Sequence, residues 1–133
     1  MKTRNLGPLE VSAVGMGCMG ISHAAGNPMD TEDAVRLIRE AADMGYTFFD
    51  TAKNYGYMEQ PHHNEEILGK ALAGIRHKVV VATKCGVDFD YSADPDVPPL
   101  IYDSSRRGIR RFAEKAAHRL HRPVFSGSHR PQG

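Results

Sequence analysis

Two short stretches limit what this chain can fold into: Phe48-Phe49-Asp50-Thr51-Ala52-Lys53-Asn54-Tyr55-Gly56 and Val79-Val80-Val81-Ala82-Thr83-Lys84-Cys85-Gly86. Each is an apolar, strand-like run that ends on a charged or phenolic side chain. Runs this apolar are normally buried on both faces, as in the parallel sheet of an α/β protein. A carboxylate, a phenol and an ammonium at their ends are costly to desolvate unless they meet one another. Asp50, Tyr55 and Lys84 are therefore expected to converge.

The pattern around these runs alternates strand and helix. Residues 2–13 read as a short hairpin turning at Leu6-Gly7-Pro8. A first strand over Val14 to Gly17 leads into a Gly/Pro-rich loop reaching Asp30. Thr31 is placed to cap a helix with Glu32 and Asp33 in its first turn, where the dipole favours acids. Its apolar stripe is Ala34, Leu37, Ile38 and Ala41, and Gly45 ends it. Tyr46 to Asp50 is the second strand. Asn64 is expected to cap a second helix, with Ile67, Leu68, Ala71, Leu72 and Ile75 on its buried face. Lys78 to Thr83 is the third strand. The loop after it, with Pro95, Pro98 and Pro99, reads as too irregular to hold an element of its own. Ser104 or Ser105 then caps a third helix carrying Ile109, Phe112, Ala113, Ala116 and Leu120. Strand–helix repeated three times predicts a parallel α/β sheet.

The 133 residues suit one domain with a real core. No run approaches the ~18 apolar residues of a membrane span, and no apolar signal core follows the N-terminal residues. Cys18 and Cys85 alone make no disulfide framework, which points to a reducing cytoplasm. The net charge of +1 hides an asymmetry. From Arg106 onward there are eight Lys/Arg and one acid, Glu114, so +7, while residues 1–105 carry −6. Such a basic segment is a possible nucleic-acid contact. It has no aromatics at stacking spacing and no recognition-helix context, which argues against nucleic acid as a partner and leaves at most weak binding through the tail.

The motifs Phe-Phe-Asp-Thr-Ala-x-x-Tyr-Gly, Asn-Glu-Glu-Ile-Leu-Gly-Lys-Ala-Leu and Val-Ala-Thr-Lys, with Gly17-Cys18-Met19-Gly20 after the first strand, resemble the aldo-keto reductases. The likeness covers residues 4 to about 120. Tyr102-Asp103-Ser104-Ser105 is similar to the auxin-induced or perakine-reductase-like branch. The resemblance implies a (β/α)8 TIM barrel, of which this sequence holds the N-terminal hairpin and about three βα units. It implies NADPH-dependent reduction of aldehydes or ketones, with NADPH bound without a Rossmann fold and a small carbonyl compound as substrate. Asp50, Tyr55 and Lys84 are its implied catalytic residues, and Gly17, Met19, Gly20 and Asp50 its implied cofactor contacts. No metal is implied.

The chemistry agrees with those roles. Carbonyl reduction needs a proton donor for the forming alkoxide, and a free phenol near pKa 10 is about three units above neutral, roughly 4 kcal/mol. An ammonium about 4 Å away supplies a similar amount at an effective dielectric of ~20. The ammonium in turn benefits from a carboxylate partner. Tyr55 as donor, Lys84 beside it and Asp50 behind Lys84 fit.

Two other motifs carry less. Gly15-Met16-Gly17-Cys18-Met19-Gly20 satisfies G-x-G-x-x-G, but a Rossmann fingerprint needs a helix opening at the glycines, and Ile21 to Pro28 read as loop. His62 and His63 stand before a helix without further ligands at zinc spacing, and read as loop residues.

The family pattern stops at His121, so residues 1–120 are expected to be the family portion and 121–133 a disordered tail unrelated to it. One permitted codon set for residues 121–126 reads Thr-Asp-Leu-Tyr-Phe-Gln one base later, which suggests a change of reading frame. Ser128-His129-Arg130 lacks the preceding strand that a catalytic His would need. A closed barrel takes ~250 residues and at least ~200. The chain alone is therefore expected to be inactive. Phe48, Val79 and Val81 are expected to lack barrel partners and to drive self-association through open strand edges.

Overall fold

Gly7, at φ +58°, allows the tight Gly7-Pro8 turn that folds β1 (Thr3–Leu6) antiparallel onto β2 (Leu9–Ser12), pairing Leu6 with Leu9. This computed structural model describes residues 1–23 and 26–121. The expected hairpin is followed by β3 (Met16–Gly17), a short helix α1 (Met19–Ser22) and the long helix α2 (Thr31–Asp43). Next come β4 (Phe48–Asp50), α3 (His63–Ala71), a 3-10 turn over Arg76–Lys78 and β5 (Val80–Ala82). The chain ends its regular structure with β6 (Val87–Phe89), β7 (Leu100–Tyr102) and α4 (Arg106–His121). Beyond His121 the expected tail, Ser128-His129-Arg130 included, lies outside the described residues.

The central sheet is parallel, in the order β3-β4-β5, with Met16 opposite Phe49 and Phe49 opposite Val81. Three strand–helix units are therefore present, as the alternating pattern requires. The core lies between sheet and helices. Phe49, Ile38, Ile67, Leu68 and Leu72 are its largest fully buried apolar side chains. Burying each contributes about 1.5–3 kcal/mol.

Several local expectations change. Helix α2 is capped by Asp30, not Thr31. The Asp30 carboxylate accepts from the backbone N–H of Glu32 (2.9 Å) and Asp33 (3.2 Å), and a charged acceptor is stronger there than a hydroxyl. Leu37, on the expected stripe, is 39% exposed, so the buried stripe narrows to Ala34, Ile38 and Ala41. A helix opens at the glycine motif after all, but α1 lasts four residues and ends at His23 in extended backbone. The loop after β5 contains the antiparallel pair β6–β7, with Asp88 opposite Ile101. Its prolines do not prevent this, because Pro98 and Pro99 precede β7 and need no ladder N–H. Val79 is buried in the core, where a free barrel face was expected, and Val81 packs against that core.

Helix α4 is attached to the rest through a buried charge. Glu65, fully buried, accepts from the Thr83 hydroxyl at 2.7 Å and pairs with Arg119 Nε at 2.5 Å. Gly69 lets the helices approach, since a Cβ there would sit 2.0 Å from the Arg119 carbonyl oxygen. Removing one partner of a buried pair leaves an uncompensated charge, whereas replacing both with apolar groups removes the desolvation cost as well. We expect Glu65→Ala to destabilise the fold by about 3–5 kcal/mol, and Glu65→Leu with Arg119→Met to cost distinctly less. Urea unfolding of the three proteins checks this. A double variant as unstable as the single one would show that the ion pair is not the source.

Candidate active site

The ends of β4 and β5 bring the three predicted residues together. Asp50 closes β4, opposite Gly17 of β3 and Ala82 of β5. Two residues beyond β5, Lys84 donates from Nζ to Asp50 Oδ1 at 2.5 Å and to the Thr51 carbonyl at 2.8 Å. The same Nζ lies 5.0 Å from the centroid of the Tyr55 ring. Burial pulls the Lys84 ammonium down, but hydrogen bonds with Asp50 and Tyr55 and their charges outweigh it, leaving its pKa raised.

Tyr55 sits in a loop fixed from beneath by buried polar groups. Asn64, expected as a helix cap, lies inside the first turn of α3 and is fully buried. Its amide donates to the Cys18 carbonyl (2.8 Å) and to Ser22 Oγ (2.7 Å), and its oxygen accepts from Thr51 Oγ1 (2.6 Å). The Ser22 hydroxyl in turn donates a hydrogen bond to the Tyr55 carbonyl at 2.6 Å. One side chain thus joins the ends of β3 and β4 to the tyrosine loop. Gly56 is required after Tyr55, because a Cβ there would meet the Gln60 carbonyl oxygen at 2.1 Å. His23 stacks on the Tyr55 ring, centroids 5.6 Å apart, and donates from Nδ1 to the Gly56 carbonyl at 3.0 Å.

Two of the four implied cofactor contacts, Gly17 and Asp50, line one cleft. This cleft, of about 430 Å³, lies between the sheet and the hairpin, with Met16 and Phe48 on one side and Arg4, Leu6, Val11 and Ser12 on the other. A Cβ added to Gly17 would meet nothing within 4 Å, so the backbone beside Asp50 faces open space. Met19 and Gly20 follow in the first turn of α1, both exposed. The open space at Gly17 leaves room for a flat ring to approach the strand end. Cys18 is fully buried there, its thiol pushed up to about 12 by burial and then by the Asp50 charge, so it stays protonated and unreactive. His62 donates from Nδ1 to the Lys53 carbonyl (2.8 Å), and His63 packs edge-on against Tyr57.

Sequence reasoning missed Ser22, His23, Thr51 and Asn64. Only Asn64 carried a signal, a short polar residue at a helix start, and that signal points equally to an ordinary cap.

The model of the Aldo/keto reductase family matches residues 13–124, most of the sequence. The chain belongs to the aldo/keto reductase family. The Glycine max protein named probable aldo-keto reductase 1 is 37% identical over 112 residues, 84% of this chain and 30% of that protein. The aldo-keto reductase of Bacillus halodurans, solved in a holo form, superposes with a TM-score of 0.73 at 33% identity, covering 90% of this chain and 36% of its own. A glycerol dehydrogenase from Gluconobacter oxydans gives 0.65 at 34% identity over 85% and 33%. This family member therefore spans about a third of the length of such relatives, and its α/β structure is part of their TIM barrel.

A lysine raised in the folded protein stabilises the fold fully below its unfolded value, about 10.4, and that stabilisation is lost as pH rises through the folded value. NMR titration of the Lys84 side chain should place its midpoint above 10.4, and Asp50→Asn should lower it. The melting-temperature advantage of the wild-type chain over Asp50→Asn should shrink above that pH. A Lys84 midpoint unmoved by Asp50→Asn would contradict the assigned cause.

Proposed function

We propose that this chain carries the acid–base part of an NADP-dependent reduction of aldehydes or ketones to alcohols. The observation that carries the reading is the meeting of Lys84 with Asp50 and the Tyr55 ring at one end of the parallel sheet. When bound, NADPH supplies a hydride to the carbonyl carbon. Tyr55 gives its Oη proton to the carbonyl oxygen as negative charge develops there. New C–H and O–H bonds form, the carbonyl π bond breaks, and the phenolate remains on Tyr55. The Lys84 ammonium stabilises that phenolate, an interaction of ~4 kcal/mol at about 4 Å and an effective dielectric of ~20. Asp50 and the Thr51 carbonyl hold Lys84 charged and in place. Gly17, Met19, Gly20 and Asp50 would receive the nicotinamide end. The open space at Gly17 supports this.

The Tyr102-Asp103-Ser104-Ser105 approach to α4 supports the auxin-induced or perakine-reductase-like branch, and two free cysteines suit a reducing cytoplasm. We expect no NADPH oxidation above background from the 133-residue chain alone, because hydride transfer needs the ring held in near-attack geometry and this chain spans 36% of the Bacillus halodurans relative. A chimera carrying residues 13–124 in place of the matching segment of that relative should reduce aldehydes. Tyr55→Phe should lower its kcat by about 10²–10⁴, with Lys84→Met close behind. Chimeric activity indifferent to Tyr55 would sink the assignment, and saturable, Tyr55-dependent turnover by the chain alone would overturn the expected inactivity.

Self-association belongs to the same reading. Strand β5 pairs with β4 on one side, and among the described residues no strand pairs with its other edge. Sedimentation velocity should give a mass above 14.7 kDa that grows with concentration. A single species of the chain mass at every concentration would exclude this.

A further inference from the structure

Helix α4 buries Ala116 and Leu120 and turns a row of cations outward. Arg106, Arg107, Arg110, Arg111 and Lys115 are all exposed, and among the described residues none of them forms a salt bridge. Arg107, Arg111 and Lys115 follow one another at four-residue spacing, about 6 Å per step along the axis. Arg106, Arg107, Arg110 and Arg111 line an open cleft of about 610 Å³ with Glu114. Arg111 also walls a second cavity of about 390 Å³, shared with Lys115, Lys53, Asp88 and Asp103.

The nearby acids are largely occupied. Asp88 is paired with Lys53. Asp103 precedes the helix, its Oδ1 accepting from Ser105 Oγ at 2.6 Å and Ser105 N at 3.2 Å, which together with the Arg111 and Lys53 charges holds its carboxyl below the usual range. Glu114 alone cannot balance five cations. Three like-charged pairs at four-residue spacing, and two arginines, Arg106 and Arg107, in the first turn at the positive pole of the helix, all oppose the helix as it stands. A chain of regularly spaced anions would turn each of those repulsions into an attraction.

We propose that this face of α4 binds the phosphodiester backbone of a nucleic acid without reading its bases. The row advances by roughly the separation of successive phosphates along one strand, and the guanidinium fork matches phosphate oxygens two at a time. The missing aromatics and recognition-helix context exclude base readout, not backbone contact. A lipid surface fits less well. Ile109 is the one large apolar side chain exposed on α4, Phe112 is half-buried and Ala116 and Leu120 are buried, so little remains to enter an acyl layer. With a net charge of only +1, the whole chain is not a general polyanion binder, and the effect rests on this face.

The test is fluorescence anisotropy of the full chain with a labelled oligonucleotide, as single strand and as duplex, across a salt series. With four or five phosphates neutralised, duplex affinity should fall by roughly two orders of magnitude or more between 50 and 200 mM salt. Replacing Arg107, Arg111 and Lys115 together by Glu should abolish binding, and replacing them by Gln should reduce the salt slope by about three phosphates' worth. These positions are exposed, so both variants should keep α4, which circular dichroism checks. Arg122→Ala with Arg130→Ala should leave the slope nearly unchanged. Binding that survives the Gln variant, that disappears with the Arg122/Arg130 variant, or that is found only with phosphatidylserine vesicles would overturn the proposal, as would no binding in low salt.

Discussion

Most of the candidate site depends on the hydrogen bonds of one buried amide. Asn64 has no access to water, so its donors and its acceptor must all find protein partners or cost about 1–3 kcal/mol each. It finds them in the Cys18 carbonyl, the Ser22 hydroxyl and the Thr51 hydroxyl. Those groups lie after β3, in α1 and after β4. Satisfying one side chain therefore sets the mutual position of three loops, and Ser22 extends the set to the tyrosine loop. Lys84 then needs only short reach to meet Asp50, the Thr51 carbonyl and the Tyr55 ring. A polar network that is fully satisfied in a low-dielectric setting is rigid for that reason.

A second buried group, one residue further along α3, does for the outer layer what Asn64 does for the site. Glu65 holds Thr83, the residue before Lys84, and holds Arg119 near the end of α4. The strand end that presents the ammonium and the helix that presents the arginine row are thus tied through one carboxylate. Its desolvation is offset by a charged partner and a hydroxyl, and Gly69 supplies the close approach that brings them together. The Asp50–Tyr55–Lys84 cluster and the cationic face share one scaffold.

The core explains why so few residues hold this arrangement. Phe49 fills the centre of the sheet, and Ile38, Ile67, Leu68 and Leu72 pack over it from α2, from α3 and from just beyond α3. Asp50, the residue after Phe49, then alternates to the other side of the strand and toward the open cleft. Apolar packing on one side and a polar, accessible strand end on the other follow from the same pleat.

The local sequence determined the hairpin, the three strand–helix units and the meeting of Asp50, Tyr55 and Lys84, because periodicity, glycine turns and strand-end charges are local or nearly local signals. It also carried the motifs that place the chain in its family. It did not decide whether Asn64 caps a helix or bridges loops, whether Glu65 faces water or Arg119, or whether Leu37 is buried. Nor did it show that Val87–Phe89 would pair with Leu100–Tyr102. Those outcomes turn on partners far along the chain, such as Asn64 with Cys18 and Glu65 with Arg119. A polar residue reads alike in sequence whether it meets solvent or a distant acceptor. Only the packed structure chooses between them, because burial sets the cost of leaving its hydrogen bonds unmade.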